Sequence, residues 1–157
     1  MEKQRFEINR PGIYNYEVIM DELNSQKELL GVIKAEEVGD YEINIVSRHV
    51  VGETNCRVDV KGIVSGGARV KVKGTVRIDK GATGSDSFLA MKLLMLDDIS
   101  MAVAEPELEI ENNEVKASHS ASVGRIDEEQ LFYLESRGVE KKQAEKLIIS
   151  GFLGEVE

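Results

Sequence analysis

The stretch VDVKGIVSGGARVKVKGTV, residues 58–76, repeats one pattern, V-x-V-K-G-x-V, at a spacing of 12 residues. Within and after each copy the apolar residues alternate: Val58 and Val60, then Val70, Val72, Val76 and Ile78. A period of two is the geometry of a strand with one buried face. Gly62 and Gly74 hold the same place in each copy, and with Gly66, Gly67 and Gly81 they read as turns or bends. Two copies fit a hairpin, and they fit equally well two consecutive strands of a solenoid.

Downstream the strand signal continues without helical interruption. Leu93 and Met95 alternate, then Ile99, Met101 and Val103, then Leu108 and Ile110, then Val115 to Val123. The polar stretches Asp97-Asp98, Glu105-Pro106 and Glu111–Asn113 read as corners between them. Many short strands, compact corners and a partial repeat predict a β-solenoid whose rungs bury their inner faces on one another, with a sandwich as the alternative. Upstream, Phe6 and Ile8 read as a strand stopped by Pro11-Gly12. The segment from Tyr14 to Val38 reads either as strands or as a short helix around Leu23 to Leu30.

A chain of 157 residues is long enough for one domain with a real core and a modest appendage. With 14 Gly, two Pro and no Trp, it suits short strands and tight turns better than a helical bundle. The net charge of −9 is uneven: residues 1–104 carry 14 Lys/Arg against 16 Asp/Glu, whereas residues 105–157 carry 6 against 13. An acidic C-terminal third repels nucleic acid and anionic membrane, so neither is an expected partner. It is a solvated face or a surface for a basic protein. Cys56 is the single cysteine, which excludes an intramolecular disulfide and fits a reducing compartment. The opening MEKQRFEINR lacks an apolar signal core, and no run approaches the length of a membrane span. A cytoplasmic location is the expectation.

The C-terminal tail reads as two helices. Asp127 is placed to cap the first, with Gln130 in capping-box position and Gly138 as its stop. The second is expected from about Glu140 to Ile149, ended by Gly151, with Phe152 and Leu153 folding back. Just before the helices, alternation through Val115, Ala117, His119, Ala121 and Val123 sets one of the chain's two histidines on the inward face of the last strand.

ASHSASVGRIDEEQLFYLESRGVEKKQAEKLIISGF, residues 117–152, resembles the C-terminal signature of the SufB/SufD family of iron–sulfur cluster assembly proteins. There a strand ending S-H-G-A-T-x-G leads into D-E-E-x-L-F-Y-L-x-S-R-G and then a second helix with G-F. The resemblance extends upstream through KGIVSGGARVKVKGTVRIDKGA (61–82), LLML (93–96) and PELEI (106–110), covering roughly residues 55–157. It implies a right-handed parallel β-helix over residues 1–124 and a helical subdomain over 125–157. It further implies a homodimer, or a heterodimer with a SufB/SufD-like chain, formed through the β-helices, with a SufC-like ABC ATPase docked on the helices. An iron–sulfur cluster would be held transiently at the dimer interface. Family members are usually much longer, so the resemblance describes a minimal core.

Departures from the family pattern bear on chemistry. The SufB branch carries a functional cysteine 28 residues before the motif histidine, a position occupied here by Met91. It also flanks the histidine with glutamates, where this chain has Ser118 and Ser120. At these positions the chain is closer to the SufD branch.

His119 is either a cluster ligand through a neutral imidazole nitrogen or a buried histidine ordering the strand-to-helix junction. Cys56, in alternation with Val58 and Val60, is either a thiolate ligand or a small buried hydrophobe. His49 has no recognisable context and reads as structural or exposed. Leu131 and Leu134 are expected on the sheet end, leaving Phe132, Tyr133, Arg137, Glu140 and Phe152 for docking the ATPase. With no P-loop, no G-x-S-x-G and no paired-carboxylate constellation, the chain is not expected to be an enzyme. The rival function is an adaptor that regulates the ATPase without carrying metal.

Overall fold

The computed structural model describes residues 1–154. The last three positions of the expected helical subdomain, 155–157, lie outside the described residues. Nine strands precede two helices: β1 (Glu2–Ile8), β2 (Gly12–Met20), β3 (Gln26–Ala35), β4 (Gly39–His49), β5 (Asn55–Val64), β6 (Ala68–Ile78), β7 (Asp86–Met95), β8 (Met101–Ile110), β9 (Lys116–Arg125), α1 (Glu128–Ser136) and α2 (Lys141–Leu153). Odd strands form one sheet in the order β1-β3-β5-β7-β9, and even strands form the other in the order β2-β4-β6-β8. All pairings are parallel. This is a β-solenoid of about four turns.

The repeat thus builds neither a hairpin nor a sandwich. Its copies are β5 and β6, on opposite sheets, each pairing with strands about thirty residues away, such as Val58 with Leu29 and Leu89. The region 14–38 resolves into strand, with β3 where a helix was the alternative. Val32, Ile33 and the inward alternation on β3 favour that choice, because tertiary burial outweighs local propensity.

Gly62 and Gly74 are not turn residues. Both sit mid-strand facing the core, where a Cβ on Gly62 would meet Leu93 Cδ2 at 2.8 Å and one on Gly74 would meet Leu89 Cδ1 at 2.8 Å. Their missing side chains make room for large aliphatics reaching across from other strands. Gly66 and Gly67, by contrast, are turn residues with φ of 66° and 79°. Asp97 braces the neighbouring turn, accepting from the Gly66, Ile99 and Ser100 amides at 2.7, 3.1 and 2.9 Å.

Glu105-Pro106 is not a corner. It lies within β8, whose outward Glu105, Glu107 and Glu109 pair with Lys71, Lys73 and Arg77 of β6. Pro106 is tolerated because β8 is an edge strand, with no next strand needing its amide.

The helices follow the capping signals with one exception. Asp127 Oδ1 accepts from the Glu129 and Gln130 amides at 2.9 and 3.4 Å, and Gly138 adopts φ 88° just past α1. Gly151 does not stop α2, which runs to Leu153 and ends at Gly154 with φ 73°. Phe152 and Leu153 are therefore the helix's last turn, packed with Ile149 on Val32, Ile63 and Leu94 of the odd-strand sheet's outer face. Burial of this patch holds the last turn of the helix although Gly151 within it disfavours helix. No helix among the described residues is long and apolar enough to cross a membrane.

Candidate functional site

The two ends of the solenoid differ. At the β1/β2 end the Phe6 and Tyr16 rings stack 3.9 Å apart, the Phe6 ring filling the space a side chain on Gly31 would take, with Tyr14 packed on the same core. At the other end β8 and β9 are both edge strands, and their inward rows hold no Phe, Tyr or Trp. Those rows continue the core columns. Ala117, His119, Ala121 and Val123 follow Ser87, Leu89, Met91 and Leu93, while Ala104, Pro106, Leu108 and Ile110 follow Val72, Gly74, Val76 and Ile78.

His119 therefore occupies the inward register, stacked on a Leu29–Val58–Leu89 column, yet it is exposed because no further rung lies above it. Alternation correctly assigns its face. It does not reveal that the strand is the last, so the expectation of a buried imidazole at the junction is corrected. Val123 in the same row, and Leu108 and Ile110 in the inward row of β8, are each about two-fifths exposed, at 40%, 39% and 41%. The result is an apolar face with one imidazole in it and two unpaired sheet edges alongside.

Met91, at the position where a cysteine was sought, is fully buried beneath Ala121. Cys56 is fully buried two strands below Ala117, in register with Ser87. Burial pushes its thiol up to about 11, with Lys27 pulling weakly downward, so it is protonated and unreactive at neutral pH. The site does not bring Cys56 and His119 together. Among the described residues no group of three or more His, Cys, Asp or Glu is gathered to hold a metal ion.

Sequence reasoning left His49 without a context. It is fully buried at the end of β4, its Nδ1 2.7 Å from Thr54 Oγ1, which in turn lies 2.9 Å from Ser85 Oγ. Among the described residues Nε2 has no hydrogen-bond partner. The signal was available: Tyr41, Ile43, Ile45, Ser47 and His49 alternate in one inward row. Burial lowers its pKa to about 4, against a smaller opposing pull from Asp86.

The helices present a second surface. Only Leu131 of α1 is buried, and α1 packs on α2 rather than on the sheet end, correcting the expectation for Leu131 and Leu134. Phe132 and Tyr133 are exposed at 73% and 58%, and the Arg137 guanidinium lies 5.3 Å from the Tyr133 ring centre. Glu140 is an exposed N-cap residue of α2 without a side-chain capping bond. Phe152 lies apart from this patch, half-buried on the sheet. Beside Tyr133 runs a groove of about 370 Å3 lined by Gln130, Leu134 and Ile148.

A family model described as SUF system FeS cluster assembly, SufBD core domain, matches residues 10–152. The chain belongs to the SufBD family. Among its relatives, an iron-sulfur cluster assembly SufBD family protein of Mycobacterium bovis is 38% identical over 137 residues, 82% of this chain and 34% of that protein. One of Mycobacterium leprae is 32% identical over 130 residues, 83% of this chain and 15% of that protein. This SufBD chain thus spans about a third or less of the length of these relatives. The matched segment holds both the open solenoid end and all of α1.

Proposed function

We propose that this SufBD chain is a non-enzymatic scaffold of iron–sulfur cluster assembly, working in the cytoplasm. It pairs with a second SufB/SufD-like chain, its own copy or a relative, through the uncovered β8/β9 end. It docks a SufC-like ABC ATPase on the exposed aromatic face of α1. The observation that carries this reading is His119, held in an apolar row between two unpaired sheet edges. Exposed edges invite strand pairing, and a twofold axis beside β9 brings two imidazoles together. One imidazole cannot hold a cluster. Two, completed by ligands on the incoming cargo, can take part in holding it briefly, since neutral imidazole nitrogen is a good iron ligand.

Anaerobic iron and sulfide reconstitution tests this. Wild type with its partner chain should acquire stoichiometric iron and sulfide, and His119→Ala should lose it. Because His119 is exposed, the variant's unfolding free energy should stay within about 0.5 kcal/mol of wild type. Equal cluster loading in the two proteins would remove His119 from the cargo site.

The second reading, an adaptor for the ATPase that never carries metal, is favoured by buried Met91 where sulfur chemistry would want a cysteine. It predicts no cluster on either protein with ATPase binding intact. Both readings require the docking face. Phe132→Ala and Tyr133→Ala should each weaken ATPase binding by about tenfold or more, with unchanged circular dichroism, as for exposed aromatic anchors. Full affinity in both variants would move the docking surface elsewhere.

A further inference from the structure

The outer face of the odd-strand sheet carries a charged groove that neither reading uses. Arg5, Leu30 and Asp59 are outward-facing register partners on β1, β3 and β5, and Val32 and Lys61 are partners one step along. The end of α2 overhangs them, with Leu153 buried on Val32. Arg5, Leu30, Val32, Asp59, Lys61 and Gly154 line a space of about 490 Å3, the size of a small-molecule site. Lys61 reaches its rim, since a Cβ on Gly154 would lie 3.7 Å from Lys61 Nζ.

The charges here are unfinished. Asp59 Oδ1 is buried with no hydrogen-bond partner among the described residues, which is costly for a carboxylate oxygen. Lys61 lies in register with Lys92 on the neighbouring strand, a like-charge pairing that destabilises a sheet. Among the described residues Arg5, Lys61 and Lys92 have no ion-pair partner, whereas Lys3, Lys27, Lys71, Lys73, Arg69 and Arg77 all do. Among the described residues, Arg5 and Lys61 lack an anion and Asp59 lacks a donor.

We propose that this groove binds a free α-amino acid with an aliphatic side chain. Its carboxylate lies between Arg5 and Lys61, its ammonium pairs with the Asp59 carboxylate through Oδ2, the oxygen that is not buried, and its side chain rests on Leu30, Val32 and Leu153. An inorganic anion satisfies the cations but sits against the Asp59 carboxylate. A simple amine satisfies Asp59 but meets two cations. Only a zwitterion answers both signs within one small molecule.

The test is titration of the isotopically labelled full chain with L-leucine, followed by amide chemical shifts. Saturable shifts are expected at β1, β3 and β5 around Leu30, Val32 and Lys61. Affinity should fall about tenfold or more in Asp59→Asn, which keeps the side chain's shape, and likewise in Arg5→Gln, which alters only an exposed residue. 4-Methylpentanoate, which lacks the ammonium, and isoamylamine, which lacks the carboxylate, should each bind at least about tenfold more weakly than leucine. The proposal is overturned if no saturable shift appears into the tens of millimolar. It is also overturned if 4-methylpentanoate matches leucine, or if Asp59→Asn binds leucine as wild type does.

Discussion

Replacing Gly74 with valine is expected to lower the unfolding free energy by about 3 kcal/mol, in the upper range for overpacking a core. Local reasoning predicts the opposite sign. Glycine in a strand interior is a weak choice, and valine is among the best strand formers, so the exchange should gain up to about 1 kcal/mol. Tertiary packing reverses this. A Cβ at position 74 would lie 2.8 and 2.9 Å from the two Leu89 methyls and 3.0 Å from Met91 Sδ. Leu89 and Met91 are themselves 1% and 0% exposed, so neither has free space to move into. Against a total stability of about 10 kcal/mol, such a loss is plainly visible in the denaturant midpoint. Adding Leu89→Ala to Gly74→Val should recover part of it, leaving the double variant more stable than the sum of the singles. A Gly74→Val chain as stable as wild type would mean the strand interior tolerates a side chain there, and would sink this account of the repeat.

Acidification should destabilise the protein well above the range where its carboxylates protonate. His49 is buried and neutral, with its pKa lowered to about 4 from an ordinary 6.5. The unfolded chain takes up a proton below about 6.5 that the folded chain refuses until about 4. Stability from this residue is complete above the unfolded value and drains away as pH falls through that window, by up to roughly 3 kcal/mol. Asp97 acts in a different window. Its pKa is lowered, chiefly by the Ser100 hydrogen bond, so its contribution is lost only as pH drops below the usual carboxylate range. Chemical denaturation from pH 7 to pH 4 separates the two. His49→Gln, which keeps a hydrogen-bonding group near Thr54 but removes the titration, should flatten the slope between pH 6.5 and 4. An unchanged slope in that variant would assign the acid sensitivity to other groups.

The two tests address different aspects of the same solenoid. The first concerns how sheets facing each other share volume, the second how a corner between sheets tolerates polar groups. His49, Thr54 and Ser85 form a buried hydrogen-bonded string at that corner, with Ser47 Oγ and Ser87 Oγ 3.4 Å apart nearby. Polar atoms there satisfy one another in part, and the orphaned Nε2 leaves His49 sensitive to protonation.

Side-chain alternation and the caps of α1 are local properties, and where the pattern was strong they were readable directly from the residues, whereas strand over 14–38, the strand through Glu105-Pro106 and the end of α2 were not. The alternation of Val70, Val72, Val76 and Ile78 marks an inward row, and Asp127 and Gly138 mark the ends of α1. The row containing His119 was likewise legible, as was the family signature that runs through it. Pairing and exposure are not local. Whether the copies at 58–64 and 70–76 pair with each other or with distant strands depends on which arrangement buries more apolar surface, and that sum runs over the whole chain. His119 and Leu89 share one column and one face, yet one is exposed and the other 1% exposed, because only Leu89 has a rung on both sides. Gly74 looks like a turn until Leu89 and Met91 are found in the space its side chain would fill. Alternation assigns a residue to a face of its strand, whereas burial depends on what the rest of the fold stacks against that face.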